Sequence, residues 1–236
     1  MCGSDRDMLK NDKLCVIVGA GGIGSNLFQK LTRYAPLMWD ILLIDGDSVE
    51  HKNIMRQMFT SEDVEYNKAS CLTRKANNVL QERNYAYADY LSTNESDGAK
   101  KLVELTEKYP EVVLFGCVDN QPARRQMEKY FELATDKELM YIDAANAEVE
   151  GDVVSVYRNK EKIDGVPRSM YDASVLFDTD GDPNDKSCTD QLDEGNIQTL
   201  IANDKAAIIA LEVFESYLDN KIKTGLWRFD ECVNYR

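Results

Sequence analysis

Gly19-Ala20-Gly21-Gly22-Ile23-Gly24 directly follows an apolar run from Leu14 to Val18. The spacing Gly19, Gly21, Gly24 is G-x-G-x-x-G. After a strand and opening a helix, this pattern lets backbone N–H groups approach a phosphate, and the helix N-terminus favours the negative charge. Asp45 lies about twenty residues further on, at the end of a second apolar run, where it can accept from a ribose hydroxyl. To that point a nicotinamide dinucleotide and ATP are served equally well. Arg56, Lys68 and Asp119 separate them. A dehydrogenase has no use for all three. Attack on the α-phosphate of ATP calls for cations and a metal-positioning carboxylate around oxygens that gain charge in the transition state.

Each of these residues also has a plain reading. Arg56 and Lys68 could be solvated helix charges, and Asp119 could cap the helix that follows it. His51 is the only histidine, so no Ser-His-Asp triad or histidine-rich metal site can be built around a second one.

The positioning elements follow from periodicity. Leu14–Val18 reads as a buried parallel strand, Gly22 to Tyr34 as a helix with Ile23, Leu27 and Leu31 on one face, and Ile41–Ile44 as a second strand. Together they make a βαβ unit. Helices are expected over 68–83, 99–108 and about 121–133, where Pro122 falls in the tolerant first turn. Strands are expected over 85–91, 112–115, from 140, and over 152–157. The stretch 159–196 is acidic and aperiodic, a loop or lid. Its Asp178-Thr179-Asp180-Gly181-Asp182 is no EF-hand, because Pro183 takes the required glycine position and Thr189 the twelfth. A long helix runs from Ile197 to about Leu218, and the tail from Leu226 to Tyr235 could form an edge hairpin. The expected fold is α/β: one Rossmann-like, doubly wound, mainly parallel sheet spanning 1–236, with its core over 14–157 and a helix and tail over 197–236.

Composition narrows the class. With 236 residues, 43% hydrophobic, the chain can bury a full core. No apolar run reaches the roughly 18 residues of a membrane span. The net charge of −14 disfavours nucleic-acid partners, although it serves solubility equally. Six scattered cysteines without a CxxC pair argue against a thiolate zinc site, and the polar start Met1–Asp7 lacks a secretory pattern, so a reducing, cytoplasmic setting is expected.

The run Asp45-Gly46-Asp47-Ser48-Val49-Glu50-His51-Lys52-Asn53-Ile54-Met55-Arg56-Gln57, then Lys68, then Cys117-Val118-Asp119-Asn120 with Arg124, resembles the family of ThiF, MoeB and the ubiquitin-activating enzymes. The family carries D-x-D-x-V-x-x-x-N-x-x-R-Q and C-x-D-N-x-x-x-R at these places. The resemblance covers residues 14 to 157 closely. It implies adenylation of a carboxylate by ATP with Mg²⁺, the substrate being the C-terminus of a ubiquitin-like or sulfur-carrier protein or of a peptide. It also implies a homodimer. Gly19, Gly21, Gly22, Gly24, Asp45, Asp47, Gln57 and Asn120 would line the nucleotide. Asn53 and Arg56 would contact the triphosphate, Lys68 would hold the α-phosphate side, and Asp119 would position the metal.

Three family features depart. Only Arg6 precedes the first strand as a possible arginine finger, the paired CxxC site is missing, and the acyl-accepting cysteine is not fixed in place. Cys188 is the candidate acceptor, with Cys71 as the alternative; a conformational or incidental role is the plain reading of Cys188. A NAD-binding oxidoreductase, a relative activating tRNA or a small molecule, and a catalytically silent scaffold subunit are the rival functions.

Overall fold

The computed structural model describes residues 12–35, 39–55, 57–80, 83–91, 97–147, 150–177 and 200–230. Arg56 and Cys188 lie outside them, as do Arg6 and the tail beyond 230.

An eight-stranded sheet forms the centre. β1 (Lys13–Val18), β2 (Trp39–Ile44), β3 (Asn84–Tyr87), β4 (Glu111–Gly116) and β5 (Glu138–Asn146) are parallel in the order β3-β2-β1-β4-β5. β6 (Gly151–Asn159) then turns back antiparallel to β5. Its far edge pairs with β7 (Lys162–Asp164) and with β8 (Gly225–Phe229), both antiparallel.

β1, β2 and β4 read as continuous apolar runs because helices cover both faces. Cys15 and Ile17 point into a core shared with α1 (Gly22–Tyr34), α2 (Lys68–Val79) and α6 (Leu200–Leu218). Leu14, Val16 and Val18 point into a second core with α3 (Asp97–Thr106) and α4 (Gln121–Leu133). This alternation gives the doubly wound architecture expected. The strand order reverses between β1 and β4, so the turns leaving these strands open a crevice at their C-terminal ends, where such sheets bind ligands.

One expectation needs correction. The stretch after Asn159 is not uniformly loop: it holds β7, a 3₁₀ turn at Arg168–Met170 and the short α5 (Ser174–Phe177). These elements are too short for periodicity to reveal, and tertiary contacts hold them. The described part of the tail forms one edge strand, β8, whose partner β6 lies far back in the chain; the rest of the expected hairpin lies outside the described residues. No helix among the described residues is long and apolar enough to cross a membrane.

Candidate functional site

The glycines divide by role. Gly19 has φ +94°, and a Cβ there would lie 2.5 Å from the Cys117 carbonyl oxygen, so only glycine fits. A Cβ on Gly24 would lie 1.8 Å from the Gly19 oxygen, which closes the turn against α1. A Cβ on Gly21 would meet nothing within 4 Å. Sterics inside the protein therefore do not require this glycine, whereas close approach of a ligand would.

Gly21 is also the N-cap of α1, and no side chain caps that helix or places an acid in its first turn. By contrast α2 is capped by Asn67 through Ser70 N–H, and α4 by Asn120 through Ala123 N–H at 2.9 Å. Among the described residues α1 thus presents its positive end without a side-chain acceptor, the arrangement that receives an anion.

Asp45 leaves the end of β2 with both oxygens engaged. Oδ2 accepts from Ala20 N–H at 2.6 Å and Oδ1 from Asp47 N–H at 2.8 Å. These bonds lock the glycine loop to the β2 end. Burial pushes the Asp45 carboxyl up to about 6; the Lys68 charge opposes the rise, Asp47 adds to it, and the two N–H groups oppose it.

Lys68 starts α2, and its Nζ donates to Asp47 Oδ2 at 2.7 Å. Burial pulls the Lys68 ammonium down, but Asp45, Asp47 and Asp119 outweigh it, and its pKa is raised. For Asp47, burial is outweighed by the Lys68 charge and by hydrogen bonds from Lys68 and Tyr90, so its pKa is lowered. Tyr90 donates its hydroxyl to Asp47 Oδ1, and its ring lies where a Cβ on Gly46 would stand. Asn67 donates to the carbonyls of both Asp45 and Asp47, at 2.7 and 3.1 Å. Tyr90 and Asn67 escaped the sequence reading. Asn67 carried a signal, an Asn immediately before a helix. Tyr90 carried none, since its partner is 43 residues away.

In the loop after β2, Asn53 has a structural role of its own. Asn53 is 2% exposed, and its Oδ1 accepts from Glu50 N–H at 2.8 Å, so that oxygen holds a 3₁₀ turn (His51–Asn53). Gln57 Oε1 is buried with no hydrogen-bond partner among the described residues. Asp119 is exposed just past β4, at the crevice, and Asn120, not Asp119, is the cap of α4. The structure thus brings the glycine loop, Asp45, Asp47, Lys68 and Asp119 to one rim.

No group of three or more His, Cys, Asp or Glu among the described residues could hold a metal alone. Of the cysteines, Cys15, Cys71 and Cys117 are buried, and burial raises each thiol, so none is a ready nucleophile. Burial weighs against Cys71 as an acyl acceptor.

The profile of the ThiF family matches residues 3–234, nearly the whole chain. The chain belongs to the ThiF family. Over 118 residues it is 30% identical to ubiquitin-like modifier-activating enzyme 5 of Drosophila ananassae, covering 48% of this chain and 29% of that protein. The Dictyostelium discoideum protein of the same name is 31% identical over 114 residues, covering 46% and 29%. These matches span less than a third of the relatives' own length. Among solved structures, Escherichia coli MccB with ATP superposes with a TM-score of 0.63 at 18% identity, over 95% of this chain and 65% of MccB. PaaA gives 0.61 at 18%, over 95% and 62%. These two confirm the fold.

Proposed function

We propose that this ThiF-family chain adenylates a carboxylate with ATP. The observation that carries the reading is the uncapped start of α1, open at Gly21 and flanked by Asp45 and the Asp47–Lys68 pair. Family membership supports it, as does the MccB fold, which was solved with ATP.

In this reading the ribose hydroxyls donate to Asp45 and the phosphates lie on the α1 N-terminus. A substrate carboxylate oxygen attacks the α-phosphorus, the bond to the β-phosphate bridging oxygen breaks, and pyrophosphate leaves with that electron pair. The products are an acyl-adenylate and pyrophosphate. Lys68 would face the oxygens where charge grows, the motif assigns Arg56 the same task, and Asn53, Gln57 and Asn120 would line the nucleotide. Held at Asp119 and by the phosphates, Mg²⁺ would neutralise charge on the leaving pyrophosphate. Asp45, Asp47 and Asp119 all act on Lys68, so the described rim is acidic, and the tetra-anionic nucleotide needs added cations. A bound metal would be one such cation, and the family motif assigns Arg56 as another.

The acyl substrate is the C-terminal carboxylate of a ubiquitin-like or sulfur-carrier protein or of a peptide, and the chain works as a homodimer. Cys188 is the candidate acceptor if a thioester follows.

Asp119→Ala is expected to cut ATP–pyrophosphate exchange by on the order of a hundredfold or more while the melting temperature holds. Near-wild-type exchange would remove Asp119 from the metal site. Calorimetry with Mg-ATP and with NAD separates the rival class: NAD binding at micromolar concentration without ATP binding would overturn adenylation.

A further inference from the structure

Gly22 is the glycine the G-x-G-x-x-G pattern does not require. It lies inside α1 with no positive φ, a conformation every L residue adopts and in which alanine is favoured over glycine. Yet a Cβ on Gly22 would lie 2.5 Å from both Nδ2 and Oδ1 of Asn203 and 2.6 Å from its Cγ. Asn203 sits in the first turn of α6, 2% exposed, and its Oδ1 accepts from Asn146 Nδ2 at 3.1 Å. Asn146 ends β5. α6 packs along α1 and over β5, so the Asn203 amide lies where three elements meet at the glycine loop.

On the opposite side, the Gly22 carbonyl accepts from Asn26 Nδ2 at 2.8 Å, which fixes this peptide within its own helix. The Asn203 side chain is no loose end that could swing away: it is buried, and Asn146 holds it.

We propose that Asn203, clamped by Asn146, is a positioning residue for the phosphate loop, seated on the bare Cα of Gly22 and fixing the start of α1 against the ends of β5 and α6. The proposal rests on the reading of the glycine loop as the nucleotide site and adds a residue from the opposite end of the chain. It explains why a fourth glycine stands in the loop: Gly22 and Asn203 specify each other. It also ties the loop to α6, so a shift of α6 would reach the phosphates through one amide.

The test is a double-mutant cycle on the full chain, read by Mg-ATP affinity and by melting temperature. Gly22→Ala alone should weaken Mg-ATP binding about tenfold by forcing Asn203 off the loop. Asn203→Ala alone should weaken it less. In Gly22→Ala/Asn203→Ala the added methyl fits the vacated space, and affinity should return to that of Asn203→Ala. Wild-type affinity in Gly22→Ala, or additive losses in the double variant, would overturn the proposal.

Asn203→Asp gives a readout a purely structural role would not move. Its carboxylate keeps the acceptor for Asn146 but sets an anion beside the uncapped α1 terminus, where it competes with phosphate. KM for ATP should rise severalfold with kcat held, beyond any loss of melting temperature from the buried charge. Equal losses in KM, kcat and melting temperature would reduce Asn203 to packing. If the wild type bound no Mg-ATP, the nucleotide reading would fail, while the melting temperatures of the cycle would still report whether the two residues interlock.

Discussion

Two carboxylate–cation clusters among the described residues are built to opposite ends. On the parallel half, Asp45, Asp47 and Lys68 stand at the crevice with acids in excess, and Asp47 is 37% exposed. On the antiparallel half, Asp143 of β5 is fully buried and receives Arg168 Nε at 2.7 Å and Arg124 Nε at 3.4 Å. Arg168 also pairs with Asp152 of β6 and donates to the Asp143 carbonyl, while Arg124 donates to the Val118 carbonyl at 2.6 Å. Two acids meet two guanidiniums there, with the spare N–H groups matched to carbonyls. The second cluster is saturated and pins the chain after β7 to the sheet. Among the described residues the first carries more acids than cations and keeps a helix end open. Charge balance thus separates a structural strap from a ligand site within one sheet.

The sharpest way to break this comparison is Asp143→Ala. It leaves two buried guanidiniums without their acid and is expected to cost about 3–5 kcal/mol of stability. Urea unfolding measures it. A loss below about 1 kcal/mol would show that the strap is dispensable. Lys68→Ala should do the reverse: the fold should hold within about 1 kcal/mol, since Asp47 is partly solvated, while ATP–pyrophosphate exchange falls on the order of a hundredfold. Matching behaviour of the two variants would erase the distinction.

The parallel half was legible in the sequence because its signals are local. Unbroken apolar runs marked β1, β2 and β4, glycines marked the turn after β1, and Lys68 and Pro122 stood at helix starts as read. The antiparallel half was not. Strand direction leaves no local trace in β6, and the short elements from Lys162 to Phe177 are held by Arg168 on Asp143 and by Gln121 on Ser174, contacts made across long stretches of chain. The site itself was split in the same way. Asp45, Lys68 and Asp119 came from spacing, whereas Tyr90 and Asn203 reach it only through tertiary packing.

Gly21→Ala sharpens the comparison further. Its Cβ would enter open space, so melting should not suffer, but it would stand where a phosphate must approach. Mg-ATP affinity should drop about tenfold, the size of an ordinary steric misfit. Gly19→Ala should instead lower stability, because φ +94° and the Cys117 oxygen both oppose it. If Gly21→Ala bound Mg-ATP like wild type, the open space there would not be the phosphate position.

The smallest expected effect is a proton. Burial holds the Asp45 carboxyl near pH 6 in the folded chain, against 3.8 for the free group. The folded state therefore keeps a proton between those values that the unfolded state has released, and this group's contribution to stability weakens as pH rises toward 6. Ribose hydroxyls donating to Asp45 favour its charged form, so Mg-ATP should expel that proton on binding. Calorimetry at pH 6 in buffers of different ionisation enthalpy should show about half a proton released, and at pH 8 none from this group. Affinity should fall as pH drops from 7 to 5. Replacing Lys68 by Met removes the charge that opposes the rise, so the carboxyl carbon of Asp45 should titrate in the free protein at a higher pH than in wild type. A titration unmoved by that change would mean that Lys68 serves Asp47 alone, and the two acids at the end of β2 would then be independent groups rather than one electrostatic unit.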